Sequence, residues 1–211
     1  MENKTQRTAA WVGGVIAALI LVVAGTAYIV IGVDGRDTVH DNVNRELIFG
    51  SPDMTPELIV EAATESGLTP DQYEVPDCSV AEVQISNGSE AKCFADYMRV
   101  HALESSKGLT YAEMGRFQLA SDPADPKGTS DPALAAKDAE GNPLPNGPRE
   151  SWVTETALST GLNMAFFAEQ VSLFAIVVGI TMIIIGIGLG VLTYFIFGAA
   201  PWRKPAAGSD A

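Results

Sequence analysis

Histidine is scarce in this sequence, and the usual catalytic motifs are missing. The two histidines, His40 and His101, lie on separate segments. The sequence has no G-x-S-x-G nucleophile elbow, P-loop, H-E-x-x-H motif or C-x-x-C-H haem motif. A half-buried or surface role for His101 is favoured over a catalytic one, because it lies on a predicted amphipathic helix. We therefore expect no enzyme, no catalytic residue, no cofactor and no metal site.

Charge is absent from two long stretches. There are 26 uncharged residues between Arg7 and Asp34, and 33 between Glu169 and Arg203. About 20 apolar residues suffice to cross a bilayer as a helix. A cleaved signal peptide is an alternative for the first stretch, but its apolar run is longer than the 7–15 residues typical of such peptides. The sequence predicts two transmembrane helices that form a helical hairpin, with the lipid bilayer as their partner.

The charges at the ends of these stretches predict the orientation. Lys4 and Arg7 precede the first stretch, and Arg203 and Lys204 follow the second. Positive charge marks the cytoplasmic side, so both termini are expected inside and residues 34–169 outside the cell membrane. The predicted segments are a cytoplasmic tail (1–9), transmembrane helix 1 (10–33), a disulfide-containing extracytoplasmic domain (34–120), a loop rich in Pro, Gly and Asp (121–149), a helix leading into the membrane (150–169), transmembrane helix 2 (170–198) and a second cytoplasmic tail (199–211).

The acidic residues are concentrated between the two stretches. Residues 33–169 hold 24 of the 26 acids and 9 of the 13 bases, a balance of −15. Nucleic acid is excluded as a partner on this basis, because binding it requires clustered Lys and Arg. The sequence thus predicts an acidic extracytoplasmic domain.

The only cysteines, Cys78 and Cys93, fall within this domain. In an oxidising compartment an even pair at this spacing indicates a disulfide. A redox or zinc site is the alternative, but C-x14-C lacks the paired C-x-x-C spacing of such sites. A structural disulfide is the preferred prediction.

The rest of the domain is predicted to be mainly helical. Val39, Val43 and Leu47 extend the first span outward until Gly50-Ser51-Pro52. A second helix follows the Thr55 cap and ends near Gly67, and a third spans 90–105. Thr110 and Glu113 form a capping box. Because residues 121–149 are dense in helix breakers, they are predicted to form a loop, and their Asp spacing does not match a calcium site.

Small residues recur in the second span. Gly179, Gly186 and Gly190 lie at helical spacing, and Gly186 to Gly190 forms a G-x-x-x-G motif. In the first span, Gly14, Ala18 and Gly25 are similar small residues. Such residues allow close helix approach in lipid. They predict packing of the two spans against each other, with a dedicated oligomer face as the alternative. The oligomeric state is left open.

Two strings carry a resemblance to a known group. Tyr97–Glu104 and Gly108–Met114, followed by Glu150-Ser151-Trp152-Val153 before the last span, resemble a family of small actinobacterial two-span membrane proteins of unknown function. The resemblance covers residues 10–198 apart from the Pro-rich insertion. Members are often labelled aromatic ring-opening dioxygenase. That activity is not carried over, because it requires an iron site, commonly two histidines and a carboxylate.

Three functions follow as expectations. The first is a non-catalytic envelope protein, an accessory or scaffold that presents the acidic extracytoplasmic domain. The second is an accessory subunit of a larger membrane enzyme complex, such as an actinobacterial respiratory supercomplex. The third is a membrane-anchored enzyme with an unrecognised site. Transport by this chain alone is not expected, because neither span contains an ionisable residue.

Overall fold

The computed structural model describes residues 4–198, and this part of the chain is all-helical, with isolated bridges in place of strands. Four helices are present: α1 (Lys4–Asn44), α2 (Pro56–Glu65), α3 (Gly88–Ser106) and α4 (Gly147–Thr193). A short 3-10 turn (Tyr111–Glu113) lies between α3 and α4, and a π-helical turn (Tyr194–Gly198) follows α4. The tails predicted to be cytoplasmic lie largely outside the described residues.

α1 and α4 are the two long apolar helices that the sequence predicts. They have 41 and 47 residues, and each contains a window long and apolar enough to cross a membrane. Only 11% of each such window is buried within the protein. α4 begins at Gly147, three residues before the predicted helix, and Gly161 does not interrupt it. The predicted continuous helix that leads into the second span is therefore present.

The chain divides into two compact units. The first contains the described residues 4–37 and 170–198, and the second is Thr38–Glu169. In the second unit the core combines side chains from all four helices and the loops: Val39, Val43, Ile59, Ala63, Val80, Ile85, Cys93, Tyr97, Val100, Trp152 and Leu162. This unit has its own hydrophobic core.

Local sequence explains how α2 and α3 begin and end. The Thr55 hydroxyl accepts the Leu58 N–H at 3.2 Å, and Asn87 accepts the Glu90 N–H at 2.9 Å, so each N-terminus has a side-chain cap. Gly67, at φ +84°, follows α2 in the left-handed conformation that glycine adopts without strain. Thr110 and Glu113 form the predicted capping box.

The outward extension of α1 is shorter than predicted. α1 ends at Asn44, so Leu47 is not on the helix. Leu47 lies at φ +51° and its side chain is exposed. Val39 and Val43 do face the core as predicted. The four-residue spacing of the three apolar side chains predicted one helical turn too many. The Gln84 side chain donates to the Asn44 carbonyl (3.2 Å) and to Asn44 Oδ1 (2.7 Å), and these bonds compete with a further turn of the helix.

The Pro-rich loop is held by a hydrogen-bond network. Phe117 pairs with both Thr129 and Pro145, and Lys137 pairs with Pro143. Asn146 is buried, and its Nδ2 donates to the carbonyls of Gly115 (3.0 Å) and Pro126 (2.9 Å). One amide side chain thus joins both ends of the loop at the start of α4.

Candidate functional site

The seam between α1 and α4 in the first unit is built from small residues. A Cβ placed on Gly25 would lie 2.6 Å from the Gly179 carbonyl oxygen, and one on Gly179 would lie 2.5 Å from the Gly25 oxygen. Such distances are much shorter than real Cβ contacts, so no other residue fits there without moving the backbones apart. The two helices therefore approach each other backbone to backbone through a reciprocal glycine pair.

The seam follows a seven-residue spacing on both helices. On α1 it contains Ala18, Gly25 and Gly32; on α4 it contains Ser172, Gly179, Gly186 and Thr193. A Cβ on Gly32 would lie 2.6 Å from the Ser172 carbonyl oxygen, and one on Gly186 would lie 2.9 Å from the Ala18 oxygen. A seven-residue repeat keeps one face of each helix against its partner over several turns, as in coiled coils.

The three predicted packing glycines lie in two kinds of environment. Gly179 and Gly186 lie at backbone contacts of the seam, whereas a Cβ on Gly190 would lie 3.6 Å from the Ala18 Cβ, an ordinary contact. On α1, Ala18 and Gly25 were noted as small residues, whereas Gly32 was missed as a seam position, although the seven-residue spacing of Ala18, Gly25 and Gly32 is visible in the sequence.

The disulfide predicted in the second unit is present. Cys78 and Cys93 are bonded, with their Cα atoms 6.1 Å apart. Cys93 belongs to α3, and Cys78 to the loop that precedes it. The fully buried Tyr97 donates its hydroxyl to the Cys78 carbonyl at 2.6 Å, so the same loop is fixed to α3 twice. Burial, and then the negative charge of Glu57, raise the pKa of the Tyr97 phenol.

One cluster of ionisable side chains surrounds His101. Its Nδ1 lies 2.8 Å from Glu104 Oε2, and its Nε2 lies 3.7 Å from Asp53 Oδ2. His101 lines a groove of about 550 Å³ between α3 and α4, together with Ser105, Glu150 and Ser151. Ser105 donates its hydroxyl to the Ala102 carbonyl at 2.9 Å. Among the described side-chain hydrogen bonds, none joins a hydroxyl to His101.

A second cluster lies where α3 meets α4. The Arg99 guanidinium stacks over the Trp152 ring at 4.0 Å, and its Nη1 lies 3.5 Å from Glu155 Oε2. Glu155 is 6% exposed, and Ser159 donates to its Oε1 at 2.6 Å. Because the Glu155 carboxylate has three polar partners, counting Thr156 at 3.3 Å, its burial is compensated.

His40 takes no part in either cluster in the described hydrogen bonds and ion pairs, and it is exposed on α1. Within residues 4–198, no group of three or more His, Cys, Asp or Glu side chains is arranged to hold a metal ion. The larger groove, of about 1020 Å³, lies between the loop 71–77 and α3 and contains charges of both signs, including the Lys92–Asp96 pair.

Comparisons with known proteins give no match. No protein-family model matches the chain, and neither a curated protein nor a solved structure does.

Proposed function

We propose that this chain is a two-span membrane protein that presents the unit Thr38–Glu169 outside the cytoplasm as a non-catalytic accessory or scaffold. The observation that carries the proposal is the distribution of small and large apolar side chains in the first unit. Small residues lie at the backbone contacts between its two helices, while many large apolar side chains are exposed, among them Val23 (67%), Ile31 (66%) and Phe174 (68%). Lipid is the solvent in which such a surface is favourable.

The disulfide supports the orientation. Disulfides persist in oxidising compartments and are rare in the cytosol, so a bonded Cys78–Cys93 pair favours export of the second unit. The charge distribution agrees, because the basic residues outside 33–169 lie in the tails. An acidic, disulfide-tied domain outside the membrane is consistent with both observations.

The ionisable clusters support a non-catalytic role. Glu155 has polar contacts with Arg99, Thr156 and Ser159, which favours a structural role for this carboxylate. His101 is oriented by Glu104, yet the described hydrogen bonds give it no nucleophile to activate. These contacts join α3 to its neighbours, which is the role expected of them in a scaffold.

Reporter fusions test the topology. Alkaline phosphatase joined after Ala139 should be active and a green fluorescent protein joined there dark, while the reverse is expected after Ala211. Activity of the phosphatase after Ala211 would refute the two-span arrangement. Purification in mild detergent should then recover a stoichiometric partner, as an accessory or scaffold requires.

The non-catalytic role is tested by substitution of His101. A His101→Gln protein that folds, as judged by an intact disulfide, should support the cellular phenotype of the wild type. Asp131→Asn, in the exposed loop, is the matched control. Loss of the phenotype by His101→Gln alone, with wild-type stability, would indicate an enzyme instead.

A further inference from the structure

The outward surface of α4 between Ser151 and Gln170 is free of charge. Between Ser151 and Gln170 the helix contains two ionisable residues, Glu155 and Glu169, and both are 6% exposed. The other side chains of this stretch are apolar or neutral. At about 1.5 Å per residue, this surface is nearly 30 Å long. A charge-free surface of this length is unexpected in a segment, 33–169, whose net charge is −15.

One side of this surface is apolar, and its side chains differ in size along the helix. We define the α4 face by the residues that recur every third or fourth position and are exposed: Val153, Ala157, Thr160, Gly161, Met164 and Phe167. Met164 and Phe167 are 58% and 60% exposed. The Thr160 hydroxyl donates to the Thr156 carbonyl at 2.7 Å, so its methyl group is left for contact with a neighbour.

The centre of the α4 face is open. Nothing lies within 4 Å of a Cβ placed on Gly161, and the neighbouring Ala157 is also small and exposed. Small residues flanked by larger ones allow a second helix to approach closely, with Val153 on one side and Met164 and Phe167 on the other. The face therefore has the form of a shallow groove that fits a helix.

The charge of the domain and of the α4 face indicates which kind of partner can bind there. A second copy would bring another acidic domain beside the first, and like charges oppose this association. An uncharged face does not recruit a charged soluble partner either. Because α4 continues directly into the apolar stretch from Val171, a helix anchored in the same membrane would meet the α4 face at high effective concentration.

We propose that the α4 face docks an apolar helix of another integral membrane protein, along the part of that helix which projects out of the bilayer. This proposal rests on the proposed two-span anchoring and names the kind of partner that the scaffold holds. The partner helix is uncharged over the contact and projects beyond the membrane for several turns.

Site-specific photo-crosslinking in intact membranes tests the proposal. Benzoyl-phenylalanine replaces Met164 in one protein and Leu158 in another. Leu158 is similarly exposed, at 50%, but lies about 120° away around the helix. The probe at Met164 should give a single protein adduct, and its yield should persist when the membranes are washed with alkaline carbonate before irradiation, a treatment that removes peripheral proteins. The probe at Leu158 should give at least about tenfold less.

A charge within the face should remove the adduct. Ala157→Glu in the Met164-probe protein should lower the yield at least about tenfold, since docking would bury an unpaired carboxylate. The matched control is Ala139→Glu, an equally exposed alanine in the loop 137–143, which should leave the yield unchanged.

Four results would overturn the proposal: equal adducts from Leu158 and Met164, an adduct of two copies of this chain, loss of the adduct when the carbonate wash precedes irradiation, or lipid adducts only. The reporter fusions separate these failures from failure of the proposed function. If the fusions place the domain outside and any of the four results appears, the scaffold topology stands and the α4 face does not.

Discussion

Replacing Gly25 by alanine tests the glycine seam most directly. The added Cβ would lie 2.6 Å from the Gly179 carbonyl oxygen and 2.8 Å from Ile183 Cγ1. Since ordinary contact begins near 3.4 Å, the helices must separate by several tenths of an ångström up to about 1 Å. A gap of this size loses a quarter to a half of each affected dispersion contact. Overpacking in well-packed interiors costs about 1–3 kcal/mol, and we expect a loss in this range.

The control is Gly188→Ala on α4. Nothing lies within 4 Å of its added Cβ, so the substitution meets no neighbour. Alanine has a higher helix propensity than glycine, by up to about 1 kcal/mol in water. Gly188→Ala should therefore be neutral or slightly stabilising. Both variants remove one glycine from an apolar helix, and they differ in whether the position lies on the seam.

The assay is equilibrium unfolding of the purified protein in mixed micelles, followed by circular dichroism as the denaturing detergent fraction is raised. Gly25→Ala should unfold at a lower fraction than the wild type, and Gly188→Ala should not. The double variant Gly25→Ala with Gly179→Ala should lose less than the two single losses together, because the first Cβ already separates the backbones. Identical midpoints for Gly25→Ala and Gly188→Ala would refute the seam.

Three further predictions concern the second unit. Cys78→Ala should lower its free energy of unfolding by about 3 kcal/mol, because a loop with a sequence separation of 15 is no longer closed; urea unfolding of the detergent-solubilised protein measures this, and an unchanged midpoint would contradict it. Arg99→Ala should destabilise the unit by about 1–2 kcal/mol and alter Trp152 fluorescence, since Arg99 stacks on Trp152 and partly neutralises Glu155. Lys107→Ala, at an exposed helix end, should change neither the stability nor the fluorescence. Hydrogen bonds from the Asn142 backbone N–H and then its side chain lower the pKa of Asp138, so they stabilise the turn 138–142 above the ordinary aspartate pKa, and this stabilisation is lost as pH falls through the lowered value. Amide exchange of Asn142 should therefore rise with acid in the wild type. In Asp138→Asn the exchange should be high and nearly independent of pH, after correction for intrinsic rates.

The helices were predictable because strong local patterns define them. The Thr55 cap, the Pro56 start and the long uncharged stretches all act within a few residues or along one helix. The hydrogen-bonded structure of the loop 114–146 was not predictable, because it depends on hydrogen bonds from Asn146 to two carbonyls that lie 31 and 20 positions away in sequence. No periodicity records such long-range bonds. The same holds for the contact between Arg99 and Trp152, which lie on different helices.

The seam does not follow the G-x-x-x-G spacing, for a physical reason. Gly186 and Gly190 form a four-residue motif, the spacing that brings small residues to one face of a straight helix. Two long helices that stay in contact for many turns instead need a repeat near 3.5 residues per turn, which is seven over two turns. Gly179 and Gly186 satisfy that repeat, and Gly190 falls beside it.

This assignment of glycines affects where a partner can bind. Gly25, Gly32, Gly179 and Gly186 are occupied by the seam, so they cannot serve a neighbouring helix as well. The outward surface of the first unit has a groove of about 750 Å³ beside Ala9 and Gly13 and an open position at Gly188. Elsewhere it carries many large side chains, such as Phe174 and Phe195. Large flexible side chains pack against lipid and against protein alike, so they select no partner. In the proposed topology the open centre of α4 at Ala157 and Gly161 faces water. An apolar partner helix that covers it would gain hydrophobic stabilisation that a lipid-exposed surface does not offer. The selective contact is therefore expected on the water-exposed part of α4.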